Sequence, residues 1–346
     1  VDRTWETIET YNAGIDFATL NNRLSGTFDY FIKDNKNMFY AEEFPTILGT
    51  SAPSINGAHV RTNGWELTLN WKDKIGKVGY RIGLNLSDNK TKVISLSDSR
   101  NPGHGLMGFV EGYPTNSFFI YEFDGFIKDE ADLADYKTKM KGGVPTNLRV
   151  GDAKYVDKDG DGVLEPTLYK EGDPNSGDIV YKGTNNQRYL YGINLGLDWK
   201  GIDVSAFLQG VGKWDCINGT YAGGGEVWKQ SSQYFYHNTW SPDRPNAEYP
   251  RLTQDGGIHG YNYQWSDAPY KFFNNRYLRL KEVQIGYTFP TTLTKKIGVE
   301  KLRVYATGMN LLEWDNLPNG FDPEAPYTEN LIPFSRTYSI GVNVQF

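Results

Sequence analysis

Asp157, Asp159 and Asp161 occupy alternate positions in the stretch DKDGDGVLE, followed by Gly162, Val163 and Glu165. Acidic side chains at positions one, three and five, glycine at six, a backbone carbonyl at seven and an acid at nine are the hard oxygen ligands of a calcium loop. The twelfth position, where a bidentate glutamate usually closes the shell, is Leu168. A closing ligand would have to come from Glu171, Asp173 or another loop. Two readings stand: a site for Ca2+ or a similar hard cation, and a solvated acidic turn.

The second group of chemically capable residues is aromatic. Trp214, Trp228, Trp240 and Trp265 fall in one stretch, 213–276, among tyrosines, glycines and asparagines. Flat apolar rings beside polar groups suit sugars, whose C–H patches are bordered by hydroxyls, and these four are the candidate substrate contacts. They equally suit loop packing or a protein contact. Catalysis finds no such concentration. Cys216 is the single cysteine, the four histidines are scattered without metal-ligand spacing, and no nucleophile elbow or phosphate-binding glycine loop occurs. The chain therefore reads as a non-enzyme, and its net charge of -6 offers nothing to nucleic acid.

What positions these groups is a series of β-strands. From Tyr338 to Phe346 apolar residues take every second place, and Ser339, Gly341, Asn343 and Gln345 fill the others. The same alternation marks Tyr11–Ala18, Leu24–Ile32, Trp65–Lys72, Tyr80–Ser87, Tyr189–Trp199, Ile202–Gly210 and Val283–Phe289. Lys301–Trp314 is strand-like, but its faces are poorly sorted and give no orientation. About nine spanning strands result, each near the ~10 residues that a tilted strand uses to cross a bilayer.

No stretch is apolar enough for a membrane helix, and the mean hydropathy of -0.57 does not exclude a barrel, because outward and inward residues average to a polar sum. Connections alternate strictly. LNNR, KDKIGKVG, KGI and PTTLTKKIGVEK are short, whereas those near 41–60, 95–188, 213–276 and 315–335 are long. Short turns on the periplasmic side and long loops outside are the pattern of an antiparallel transmembrane β-barrel. This parity makes TNSFFIYEFDGFIK, at 115–128, structure within a long loop, the rest of which shows no obvious regular structure. It also gathers Trp71, Tyr80, Trp199 and Phe289 at one depth, as an interfacial girdle. The competing architecture is a soluble sandwich, here a surface glycan-binding module. Long one-sided loops and nine strands with two open edges argue against it.

The segments NNRYLRLKEVQIGYTFP, LRVYATGMNLL, GFDPEAP and RTYSIGVNVQF resemble the C-terminal end of the SusC/RagA family of TonB-dependent outer-membrane transporters. Upstream, TWSPDRPNAEYPRLT, YVDKDGDGVLEP and the opening TWETIETYNAGIDFATLNNRLSGTFDYF continue the likeness in order along the chain. The resemblance implies a barrel of about 22 strands around an N-terminal plug, of which residues 1–346 supply the last nine or so. Nothing here matches the plug or the first strands, and no leader is visible in VDRTWETIET, so both are expected upstream. The resemblance further implies residence in the outer membrane of a Gram-negative bacterium, import of an oligosaccharide or peptide, coupling through TonB, and a SusD-like surface lipoprotein as lid. Phe346 then fits the terminal aromatic that directs barrel assembly.

Overall fold

The computed structural model describes residues 3–41, 47, 49, 53–97, 102–217, 237–317, 322–324 and 334–346. Four long strands come first: β1 (Thr7–Thr19), β2 (Leu24–Ala41), β3 (Ser54–Ile75) and β4 (Val78–Leu96). The next connection contains β5 (Gly105–Met107), β6 (Ser117–Tyr121), β7 (Phe123–Phe126), α1 (Glu130–Lys139), β8 (Ala153–Tyr155) and β9 (Ile179–Thr184). A hairpin of β10 (Arg188–Trp199) and β11 (Ile202–Lys213) leads to β12 (Asp215–Ile217), α2 (Gly256–Asn262) and β13 (Phe272–Asn274). The chain finishes through β14 (Tyr277–Thr288), the short α3 (Thr291–Thr294), β15 (Lys301–Asp315) and β16 (Thr337–Gln345).

Nine of these strands form one sheet in the order β1-β2-β3-β4-β10-β11-β14-β15-β16, each pair antiparallel. They are the nine segments expected from the alternation. The short turns are tight for local reasons. Leu20, Asn21 and Asn22 all lie in the left-handed region, which asparagine tolerates better than most residues, and Arg23 N donates to Leu20 O at 3.2 Å. The turn is tied to the next one by an Arg23–Asp73 ion pair of 3.1 Å. Lys200 and Gly201 turn the third hairpin with two positive φ values, matching the twist of the flanking strands.

The alternating faces are now visible as rows. Tyr80, Leu197, Val204, Ile285, Ala306 and Ile340 are successive cross-strand partners on one face. Among them Ile285 is 54% and Ile340 84% exposed. Trp65, Leu67, Leu69 and Trp71 are each only partly covered. A sandwich would cover these residues with a second sheet, and among the described residues none does so. Exposure of that much ordered apolar surface to water would be costly, whereas hydrocarbon tails match it.

β15 resisted orientation for a physical reason. Its pairing with β14 shifts register between Leu280 and Glu282, and Asn310 takes a left-handed φ of 52°. A bulge changes which residues share a face, so apolar positions on either side fall out of phase. Below it Arg303, Tyr305 and Thr307 share the face of Asn343, Gly341 and Ser339.

The densest packing lies outside the large sheet. Phe119, Ile127, Leu148, Ala153, Tyr155, Ile179 and Ile258 are almost wholly buried in a core drawn from both long connections. The expectation of loops without obvious regular structure is therefore corrected. Small sheets β5-β6-β9, β7-β8 and β12-β13, together with α1 and α2, organise them. Their strands are only three to six residues long, and β6, β8 and β12 bury both faces, so they carry too little alternation to stand out in the sequence.

Candidate functional site

The polar face of the sheet is the first candidate. Arg81, Gly196, Ser205, Gln284, Thr307 and Ser339 form a continuous row across six strands. Arg303 Nε donates to Asp203 at 2.9 Å, its other arm reaches Gln284 at 2.7 Å, and Gln284 donates to Thr307 at 3.1 Å. Glycine gives the arginines room: a Cβ on Gly196 would sit 2.4 Å from Arg81, and one on Gly286 2.4 Å from Arg303. This face is wet, charged and hydrogen-bonded, as a barrel lumen is.

Above the sheet the two long connections lock together. Asp152 is fully buried, accepts Arg149 N at 2.7 Å and Asn262 Nδ2 at 2.9 Å, and pairs with Arg251 at 2.8 Å. Arg251 N also donates to Gly151 O at 2.9 Å. Tyrosines fill the adjoining space, and several of their hydroxyls are hydrogen-bonded. Tyr136 and Tyr261 share a 2.8 Å bond, and Tyr155 donates to Tyr261 O at 2.9 Å. The segment TWSPDRPNAEYPRLT thus contributes a clamp, through Arg251, that its spacing alone did not disclose.

A second clamp sits at the outer end of β14. Arg279, 1% exposed, meets Asp322 at 2.8 Å, Glu313 at 2.9 Å and Glu324 at 3.1 Å, while Lys281 binds Glu324 at 2.6 Å. Asp322 also accepts Glu324 N at 2.9 Å and Phe334 N at 3.0 Å. Burial opposes ionisation of Asp322, but these amide bonds and Arg279 hold its carboxyl below the usual value. The DPE of GFDPEAP is therefore a tether for the last long connection.

In the acidic loop, Asp157 accepts Gly160 N and Gly162 N at 2.8 Å each, and Asp161 accepts Val163 N at 2.6 Å. Ligand oxygens of Asp157, Asp159 and Asp178 lie within 4.8 Å of one another. Asp161 and Glu165 are outside that group; Asp161 is spent on the turn, and Glu165 contributes its N–H to Asp178 at 2.7 Å. Asp178 thus stands where a closing carboxylate was sought at Glu171 or Asp173, and Leu168 is buried in the core. Burial, and the neighbouring Asp159 and Asp157 charges, push the Asp178 carboxyl up. Three convergent carboxylates on a backbone-braced loop fit a hard cation, each oxygen keeping a free lone pair. No spacing rule could have found Asp178, which is brought in from the start of β9.

The three described tryptophans of the four do not converge. Trp214 is buried against Val211, Cys216 and Tyr277, and its indole donates to Asn185 at 2.8 Å. Trp240 lies over Gly151, a position where a Cβ would be 2.2 Å from its ring. Trp265 packs on Gly105 and Phe118, with Lys271 Nζ 6.0 Å from its centroid. Burial without a carboxylate partner brings the Lys271 ammonium down to about 8. Trp228 lies outside the described residues. Packing accounts for the described three, with Trp240 and Trp265 retaining partial exposure. Phe346 is 86% exposed beyond the end of β16.

Comparison with known proteins adds a family. A model of the TonB-dependent receptor-like β-barrel matches residues 4–162. TonB-dependent receptor P3 of Formosa agariphila is 27% identical over 99% of this chain and 34% of its own length. TonB-dependent receptor SusC of Bacteroides thetaiotaomicron is 24% identical over 99% of the chain and 32% of its own length. In fold, the RagAB peptide transporter superposes with a TM-score of 0.74 at 23% identity, over all of this chain and 36% of that one. The chain spans about a third of the length of the curated relatives it matches. A sheet of consecutive antiparallel strands, an exposed apolar face, a polar opposite face and these matches show a portion of an antiparallel β-barrel similar to that of TonB-dependent receptors.

Proposed function

We propose that the complete protein imports a nutrient across the outer membrane, with energy delivered through TonB and a SusD-like lipoprotein closing the outer end. The observation that carries this reading is the two-faced sheet, apolar where lipid would lie and polar where a lumen would be, roofed by a folded outer layer. An oligosaccharide is the preferred cargo and a peptide the alternative. The partly exposed rings of Trp240 and Trp265 support the former. The test is uptake by cells carrying the full-length protein. Import of the preferred glycan should vanish without TonB, and the copurifying lipoprotein should bind the same glycan. Uptake unaffected by loss of TonB would refute coupling. Trp265→Ala should weaken glycan binding about three- to tenfold, the worth of one aromatic contact. Unchanged binding, with the loops still protected from hydrogen exchange, would remove Trp265 from the substrate path.

We infer further that Asp157, Asp159 and Asp178 hold Ca2+ or a similar hard cation, which would brace the outer layer. Purified full-length protein should carry about one calcium per chain at this loop. Asp159→Ala combined with Asp178→Asn should abolish it, while Asp161→Ala should only loosen it. Equal metal content in all three proteins would end the assignment.

A further inference from the structure

The outer ends of β10, β11, β14 and β15 border a cleft of about 260 Å³ that the importer reading does not use. Tyr191, Gly210, Leu278 and Trp314 are successive cross-strand partners, so the cleft lies along one row of the sheet. That row belongs to the apolar face, because Tyr191 has the parity of Leu195, Leu197 and Trp199, which are exposed. At ~3.3 Å per residue, about 26 Å of strand separates Tyr191 from Trp199, which a tilt of about 40° turns into roughly 20 Å of height, most of the hydrocarbon band. Tyr191 and Trp314 are therefore an outer aromatic level, opposite the girdle at the short turns. Gly212 lines the cleft, and Trp314 is 51% exposed.

Arg276 and Asn316, both exposed, stand at the cleft's upper edge. Arg276 makes no side-chain hydrogen bond or ion pair among the described residues. Asp315, the nearby acid, is turned to Leu317 N at 2.8 Å. An exposed guanidinium with no ion-pair partner among the described residues, beside an apolar cleft at the membrane surface, has the chemistry of a phosphate receptor with room for a hydrocarbon chain below.

We propose that this cleft binds a phosphorylated amphiphile of the outer leaflet, with the phosphate on Arg276 and the adjoining chain against Leu278 and Trp314. The proposal rests on the reading that the apolar face meets lipid. That reading has its own test: the protein should float with membranes and need detergent to stay dispersed, whatever the outcome at Arg276. The site itself is tested with full-length protein in neutral detergent, by native mass spectrometry after adding diphosphoryl lipid A or the same lipid with its phosphates removed. The wild type should retain the phosphorylated form selectively. Arg276→Ala should weaken retention about fivefold, the worth of one basic residue at a charged surface, and Arg276→Lys should restore part of it. Because Arg276 is exposed, both variants should fold. Inorganic phosphate at equal concentration should not compete. Equal retention of the two lipids, an unaltered Arg276→Ala protein, or full competition by inorganic phosphate would each overturn the assignment.

Discussion

Arg279→Met should release the tether of the last long connection, at a cost of about 3–5 kcal/mol, the usual penalty for leaving a buried charge without its partner. Asp322 is 4% exposed, and Glu313 and Glu324 converge on the same guanidinium. Removing that cation strands an acidic cluster whose described counter-charges are then Lys281 on Glu324 and, at 3.8 Å from Glu313, Arg336. Hydrogen exchange at Glu324 and Phe334, whose amides Asp322 accepts, reads the effect directly. Adding Asp322→Asn to the variant should recover part of the protection, because the buried charge is gone while the single amide oxygen still accepts one of the two N–H groups, which reach different carboxylate oxygens in the wild type. Unchanged exchange in the single variant would show that the cluster does not hold the segment. The same site predicts a pH response. The folded Asp322 carboxyl lies below its unfolded value, so its contribution is complete above the ordinary carboxylate pKa and is lost as pH falls through the folded one. The segment should loosen in acid below about pH 4 in the wild type, and this acid step should be absent with Asp322→Asn.

Arg251→Met should separate the outer layer from itself while leaving the sheet intact. Asp152 has no exposed surface, and Arg251 is its cationic partner across almost the whole span between the two connections. A loss of about 3–5 kcal/mol is expected for the outer layer, with rapid proteolysis in 102–187 and 237–276. Heat-modifiable migration in gels, which reports the strands, should stay unchanged. The reason for this division is that the outer layer has a core of its own, around Phe119, Tyr155, Ile179 and Tyr261, whereas the strands are held by ladder hydrogen bonds and by lipid. Simultaneous loss of both signals would mean the two layers fold as one unit.

The Arg251 and Arg279 clamps explain motifs that were legible only as likeness. PRLT and GFDPEAP carry no period and no metal spacing, yet each supplies one member of a buried ion pair whose partner lies far away in sequence. Asp178 is similar: it completes a carboxylate group begun by Asp157 and Asp159 from the start of a different strand. The tryptophans show the reverse: their residue type fits a sugar platform, and tertiary packing sets Trp214 against Val211 and Trp240 over Gly151 while Trp240 and Trp265 keep partial exposure.

Strand number, antiparallel order and the sidedness of the loops came from the chain itself, because side-chain direction alternates with a period of two and connection length limits which strands can be neighbours. The acidic turn at Asp157–Asp161 is local for the same reason: its bonds run between residues two to five apart. Tertiary structure alone decided that the long connections fold into a common core, that Asp152 meets Arg251 and Asp322 meets Arg279, and that Arg276 stands at the edge of an apolar cleft. Such contacts join segments whose separation along the chain leaves no periodic trace, and which partner a buried charge finds depends on register and packing, not on its neighbours in sequence.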